Sequence, residues 1–281
     1  MQKDLLHRYI FDNLDVRGEL VQLQQTFQEI IGNHDYPDAV QALLGELLVA
    51  TSLLTATLKF EGEIAVQLQG DGPVKYAVIN GDHQQNMRGI ARLQDDVDGS
   101  SIQELLGQGY MVLTITPIKG ERYQGIVPLT KPTLAECLEM YFEQSEQLQT
   151  RLWLATSTQS EHAKASGLLL QVLPVDQAKS KEDFKHLEAL TDTIKAEEML
   201  NLDAHTVLTR LYHEDNPKLF EPQHIQYRCG CSREKTIDAL VNVGMDALLE
   251  DIAQHGEVKI SCHYCLTDYR FNEQDVRAIF N

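Results

Sequence analysis

This 281-residue sequence predicts an α+β fold in three parts, and three observations lead there. Short segments alternating apolar and polar residues crowd the first 175 or so positions, and helical stripes interrupt them without a regular strand–helix–strand rhythm. From about Ala178 the strand signals stop and only helical stripes continue. Four of the five cysteines then fall in the last fifth of the chain. The expected parts are an N-terminal mixed sheet and helix domain (1–177), a helical linker (178–228) and a small cysteine-bearing C-terminal domain (229–281).

Leu5 to Phe11 and Val16 to Leu23 read as strands, with Gly18 marking a bulge. A long helix starts at about Pro37, since proline suits a first helical turn. Its stripe of Val40, Leu43, Leu44, Leu47, Leu48, Thr51, Leu54 and Leu58 keeps the 3.6-residue period. Glu63 to Gln69 sets Ile64, Val66 and Leu68 against Ala65, Gln67 and Gln69, a half-buried strand. Gly70-Asp71-Gly72-Pro73 turns the chain into a returning strand at Lys75 to Asn80. Met87 to Leu93, Met111 to Thr116, Arg122 to Val127 and Gly167 to Leu173 complete the strand set. Thr133-Leu134-Ala135-Glu136 is a capping-box pattern opening a helix to about Gln147, with Cys137 a small buried hydrophobe on its apolar face.

In the linker, Phe184, Leu187, Leu190 and Ile194 mark one amphipathic helix. Val207, Leu208, Leu211 and Tyr212 mark a second, with Asp203 as its N-cap, and Asn216-Pro217 ends the run. A segment with one apolar stripe is stable only while docked. Beyond Cys229, Ser232 caps a helix carrying Ile237, Leu240 and Val241, and Gly244 breaks it. Met245, Leu248, Leu249 and Ile252 mark another, stopped near His255-Gly256. Glu257 to Ser261 and Tyr269 to Phe271 flank the last two cysteines, and Asn272 caps a final helix.

The charge balance is 24 Lys+Arg against 42 Asp+Glu, a formal net charge of -18 without a basic run, which argues against nucleic acid as a main partner. The apolar stretch from Ala39 to Leu58 carries Gln41, Glu46 and several threonines, so it reads as a buried helix and not a membrane span. Met1-Gln2-Lys3-Asp4-Leu5-Leu6-His7-Arg8 lacks the apolar core of a signal peptide, and a cytoplasmic setting is expected. There, clustered thiols mean metal or redox chemistry more often than structural crosslinks.

The cysteines are arranged as Cys229-Gly230-Cys231 and, about thirty residues on, Cys262-His263-Tyr264-Cys265. Four thiolates in this spacing can close on one tetrahedral Zn²⁺, the staple that a small C-terminal zinc-binding domain of about fifty residues needs. Each sequence-adjacent pair can instead close as a disulfide. A Zn–S bond of about 2.3 Å sets neighbouring sulfurs roughly 3.8 Å apart, whereas a disulfide needs about 2.05 Å, so the two states exclude each other. His263 is a further potential ligand, although four cysteines already complete the shell.

These residues resemble the heat-shock protein 33 family of redox-regulated chaperones, over nearly the full length. The paired C-x-C and C-x-x-C are the most specific element. Supporting stretches are Tyr36-Pro37 before Leu44-Gly45-Glu46, Leu58-Lys59-Phe60 with Gly62, and Gln69-Gly70-Asp71-Gly72-Pro73. Met87-Arg88-Gly89, Gly125-Ile126-Val127, and Tyr141-Phe142 with Ser145-Glu146-Gln147-Leu148 follow in order. The resemblance implies a holdase that is not an enzyme and works without ATP, and the chain has no G-x-x-x-x-G-K-[ST] phosphate loop. It implies one Zn²⁺ per chain on Cys229, Cys231, Cys262 and Cys265 in an inactive reduced form. Oxidation would form the disulfides Cys229–Cys231 and Cys262–Cys265 and release the zinc. The C-terminal domain would then unfold, destabilise the linker and expose a surface for unfolding client proteins. The active form would be a homodimer. Two other readings of the residues compete: an adaptor in which zinc is only a staple, and a thiol oxidoreductase using Cys262 and Cys265.

Overall fold

Twenty residues from Asp38 to Thr57 form a helix that is buried almost all round, and the larger of two compact units is built about it. The structure is a computed structural model that describes residues 4–57, 61–159, 162–173 and 177–280. Met1 to Lys3 and the family-like Leu58 to Phe60 therefore lie outside the described residues. The units are residues 1–227 and 228–281.

The larger unit opens with strands β1 (Leu5–Phe11) and β2 (Leu14–Leu23), helix α1 (Gln25–Ile31) and the long helix α2 (Asp38–Thr57). Strands β3 (Gly62–Gln69), β4 (Val74–Asp82) and β5 (Asn86–Leu93) follow, then α3 (Ile102–Leu106), β6 (Tyr110–Pro117) and β7 (Tyr123–Pro128). Helix α4 (Leu134–Tyr141) runs into a π-helical turn (Phe142–Glu146), and β8 (Thr150–Ser157) and β9 (Lys164–Val172) come next. One sheet has the order β10-β1-β2-β9-β8, where β10 is Pro217–Leu219; the other has the order β12-β5-β4-β3-β6-β7, where β12 is Gln226–Tyr227. Helix α2 lies between them, touching β2, β8 and β9 on one side and β3, β4 and β5 on the other.

This sandwiching extends the expected stripe of α2. Val49, Ala50, Ser52 and Leu53 are buried as fully as Val40, Leu44 and Leu47. By length and composition alone α2 could cross a membrane, but its apolar surface is taken up by the two sheets. Its polar side chains are satisfied locally: Thr51 and Thr55 each donate to the carbonyl four residues back at 2.7 Å, and Ser52 donates to Gln85 Oε1 at 2.7 Å.

Strand and turn expectations match the structure within a residue or two, except that β9 starts at Lys164, three residues before the expected Gly167, and there are further instructive exceptions. Gly18 is not a bulge; the register shift in that hairpin lies at Ile10/Phe11. A side chain at Gly18 would strike the ring of Tyr9, so glycine is there to let that ring lie flat on the sheet. The helix begun by the capping box of Thr133 and Glu136 stops at Tyr141, and its last turn widens to a π turn closed by Gln147 at φ 54°. Helices α1 and α3, a third linker helix at Ala196–Asn201 and strand β8 go beyond the expected elements. Strand β8 lacks period-two burial: Arg151, Trp153 and Leu154 are all half-buried, because helices cover both its faces.

Helices α5 (Gln177–Thr191), α6 (Ala196–Asn201) and α7 (Ala204–Tyr212) cover the face of the first sheet opposite α2. The sheet contributes Tyr9, Phe11, Val16, Leu20, Leu168 and Leu170 to this second core. The helices contribute Phe184, Leu187, Met199, Val207, Leu208 and Tyr212. Asp203 caps α7 by accepting from Thr206 N at 3.0 Å, as expected. Buried Gln22 donates both amide hydrogens to the end of α6, at 2.9 Å to Met199 O and 2.7 Å to Leu202 O.

The expectation that strands cease between 178 and 228 is corrected. β10 and β11 (Gln223–His224) pair antiparallel with β1, and β12 pairs parallel with β5. Strands of two or three residues are too short to show a period, and the open edges of β1 and β5 decide their conformation.

The smaller unit holds α8 (Arg233–Val241), α9 (Met245–His255), the hairpin of β13 (Val258–Ser261) with β14 (Asp268–Phe271), and α10 (Glu273–Ile279). Ser232 and Asn272 act as the expected N-caps, and Gly244 and Gly256 bracket α9. The fully buried side chains are Leu240, Leu248, Val258, Phe271 and Val276, a small core for independent stability. The Arg233 guanidinium lies 4.1 Å from the centre of the Phe271 ring and pairs with Asp275 at 3.1 Å.

Within the larger unit, Glu19 of β2 is 2% exposed and its Oε2 has no hydrogen-bond partner. Burial pushes its carboxyl up to about 7, although Arg17 and Arg8 pull it down. The folded protein thus holds a proton that the unfolded chain releases between its ordinary 4.5 and about 7. Stability therefore falls as pH rises through that window and levels off above it. Urea unfolding at pH 5 and pH 7.5 should show Glu19→Gln gaining on the parent at the higher pH, by up to about 3 kcal/mol. An equal difference at both pH values would contradict the assignment.

Candidate metal centre

Two local backbone devices gather the four cysteines. Cys229 and Cys231 sit on the short segment between Tyr227 and α8, and Gly230 between them takes φ 67°, a left-handed step open to glycine. The Lys235 ammonium donates to Gly230 O at 2.8 Å and fixes the turn from the first residues of α8. Cys262 and Cys265 occupy the tip of the β13–β14 hairpin. There Leu266 N donates to Cys262 O and Cys262 N to Thr267 O, both at 2.9 Å, with Leu266 at φ 57°. Two extended strands lead in and out, so the C-x-x-C stands in a tight hairpin loop and not at a helix N-terminus.

The ligand sulfurs of Cys229, Cys231, Cys262 and Cys265 all lie within 4.8 Å of one another, and all four residues are half-buried. The nearest neighbours lie across the two motifs: Cys229 to Cys262 at 3.4 Å and Cys231 to Cys265 at 3.4 Å. His263 is not part of this group. The Tyr269 hydroxyl donates to Cys231 Sγ at 3.1 Å, and Cys265 Sγ lies 3.2 Å from Thr267 Oγ1.

The protons of such a cluster are held unequally. Burial drives the Cys229 thiol well up and raises Cys231 as well. At Cys265 burial also acts upward, but hydrogen bonds from Thr267, Cys229 and Cys231 outweigh it and bring the thiol down to about 6. One thiolate is comfortable here and four are not, since like charges this close repel strongly. A soft divalent cation is the partner that lets all four ionise. The donor set and the mutual spacing fit a cation bound by four thiolates, whose tetrahedral edge is about 3.8 Å.

Cys137 stands apart in the larger unit, on α4, with no exposed surface. Burial raises its thiol, and its sulfur lies 3.9 Å from Lys131 O. Sequence reasoning brought the four cysteines together and kept Cys137 out. It missed Tyr269, read only as a strand residue, as well as Thr267 and Lys235. Hydroxyls and ammonium groups leave no spacing signature, so only the folded hairpin shows which of them reach a sulfur.

Comparison with known proteins agrees over the whole chain. The family profile described as "Hsp33 protein" matches residues 4–272. The "33 kDa chaperonin" of Pseudoalteromonas translucida is 75% identical over 281 residues, covering 100% of both chains. That of Pectobacterium carotovorum is 57% identical over 280 residues, covering 99% of this chain and 96% of its own. The crystal structure of the 33 kDa chaperonin (heat shock protein 33 homolog) of Thermotoga maritima superposes with a TM-score of 0.86 at 23% identity, covering 99% of this chain and 98% of that one, and so has the same fold.

Exposure separates the five thiols. In metal-free, reduced protein a thiol-reactive dye should label four cysteines rapidly and Cys137 at least tenfold more slowly, until denaturant is added. Peptide mapping after partial labelling checks this. Early labelling of Cys137 would show that its burial is not maintained in solution.

Proposed function

The chain belongs to the Hsp33 family of chaperones, and from that premise we propose that it is a redox-regulated, ATP-independent holdase. The carrying observation is that four thiols converge within 4.8 Å in a unit whose own apolar core is only a handful of side chains. Thiol state and folding of that unit are therefore one equilibrium.

Cys229, Cys231, Cys262 and Cys265 would hold one Zn²⁺ in the reduced form. When bound, zinc keeps the four sulfurs ionised and supplies folding free energy, about 10–16 kcal/mol in small peptides. Tyr269 and Thr267 steady the sulfurs of Cys231 and Cys265 from outside the cluster. The oxidant class is peroxide. The thiolates of Cys229 and Cys231 would give up two electrons as their sulfurs bond, and one hydrogen peroxide would take those electrons and two protons from solvent to become two waters. Cys262 and Cys265 do the same with a second peroxide. The sulfur pairs must leave their cross-motif neighbours and close to about 2.05 Å, so the cluster cannot survive oxidation.

The C-terminal unit, once unstapled, has too little core to stay folded. Cys229 follows Tyr227 by two positions, so disorder there propagates along the chain into β10–β12 and then α5–α7. Lifting these helices exposes their apolar stripe and the sheet residues beneath, Tyr9, Phe11, Val16, Leu20, Leu168 and Leu170, as the surface for unfolding client proteins. The activated form is a homodimer and acts by binding, in the cytoplasm, without nucleic acid or membrane as partner. The hairpin setting of Cys262 and Cys265 weighs against a thiol oxidoreductase, which lowers a thiol pKa at a helix N-terminus.

The decisive assay treats zinc-loaded protein with hydrogen peroxide at mildly raised temperature. The expected result is loss of about one zinc and four thiols per chain, with suppression of client aggregation only after oxidation. Zinc and thiols that persist, or equal suppression by the reduced form, would reject the switch. Cys262→Ser should bind zinc weakly, show fast hydrogen exchange over 228–281 and be partly active without oxidant. Cys137→Ser should switch like the parent.

A further inference from the structure

Arg151 on the edge strand β8 is placed among three carboxylates, Glu139 of α4 and Glu188 and Asp192 at the end of α5. Its Nη1 lies 2.8 Å from Glu139 Oε2 on α4, its Nε 2.8 Å from Glu188 Oε1 on α5, and its Nη2 3.8 Å from Asp192 Oδ1 just beyond α5. The other oxygen of Glu139 accepts from Leu152 N at 2.8 Å, which ties α4 to the outer edge of β8. Trp153, two residues along the same strand face, donates from Nε1 to Asp192 Oδ1 at 3.0 Å, with the Arg151 guanidinium 5.6 Å from its ring centre.

The electrostatics make this arrangement one-sided. Among the described residues the last turn of α5 carries no basic side chain, yet Glu188 and Asp192 crowd the end where the helix carbonyls already concentrate negative charge. Glu139 adds a third carboxylate from the opposite wall. Without Arg151 these groups repel; with it, each is drawn to the sheet. The site is part-open, the Arg151 side chain being 35% exposed, and borders a groove between α4 and α5 lined by Lys131, Glu136, Glu143 and Lys181.

We propose that Arg151 is a positioning residue that fastens α5 to the first sheet, and that its ion pairs set how readily the helical layer leaves. This rests on the reading above that the layer does leave. Apolar contacts beneath α5–α7 supply adhesion indifferent to charge; the Arg151 pairs to α5 are Coulombic, since its Nε makes no hydrogen bond to Glu188 and its Nη2 lies 3.8 Å from Asp192, and they are lost early if the helix end lifts. Release is then sensitive to ionic strength as well as to the thiols.

The test uses reduced, zinc-loaded full-length protein, hydrogen exchange over α5, and the fluorescence of Trp153, the single tryptophan of the chain. Arg151→Met keeps the apolar stem and removes the charge. It should speed α5 exchange by about tenfold and shift Trp153 emission, with zinc content and exchange over 228–281 unchanged. Combining it with Glu188→Gln and Asp192→Asn should bring exchange back toward the parent, because the repulsion is gone. Unchanged α5 exchange in Arg151→Met overturns the proposal, as does equal acceleration in the triple variant, which would mean packing alone. If Arg151→Met does not fold, KCl added to the parent reads the same contact: faster α5 exchange supports it and indifference to salt overturns it. Faster α5 exchange without aggregation suppression in any redox state supports the Arg151 role and counts against the holdase reading.

Discussion

The first sheet is apolar on both faces, and the larger unit is organised to keep both dry. Along β2, Val21 and Leu23 join the core around α2, whereas Val16 and Leu20 join the core under α5–α7. A sheet buried on both sides needs two covers. One cover, α2, is held between two sheets and cannot leave without dissolving the domain. The other consists of three short helices with water on their far side. Their departure costs one core and spares the other, so the two faces differ in stability by construction.

The smaller unit follows a different logic. Its core is a few side chains, and its secondary structure depends on local devices: the caps at Ser232 and Asn272, the hairpin, and the Arg233–Phe271 stack. Such devices contribute about 1 kcal/mol each, too little to hold fifty residues. The four converging sulfurs are therefore the element on which the proposed function rests the stability of that unit. Cys137, sealed in α4, shows the contrast within one chain.

Much of this was legible in the sequence, wherever a period or a cap carries the signal. The alternation of Ile64, Val66 and Leu68 marked β3, and Thr133 with Glu136 marked the start of α4. The two cysteine motifs marked the sulfur cluster. What stayed hidden was decided by tertiary neighbours. Strand β8 blurs its pattern because Arg151 and Trp153 face helices that need them half-wet. Gly18 looked like a defect and is a seat for the Tyr9 ring. The strands from 217 to 227 exist because β1 and β5 had edges to offer, and Gln22 reads as a polar interruption until the end of α6 arrives to use it.

Those last strands bring the two sheets under one control. The segment from β10 to β12 protects the outer edge of β1 in the first sheet and of β5 in the second, so a stretch of eleven residues closes both. Any event that lifts it uncovers two rows of backbone N–H and C=O groups at once. Such groups are the same in every polypeptide. An edge of this kind takes up an extended chain by strand addition, and what it recognises is backbone, with little regard to side-chain sequence.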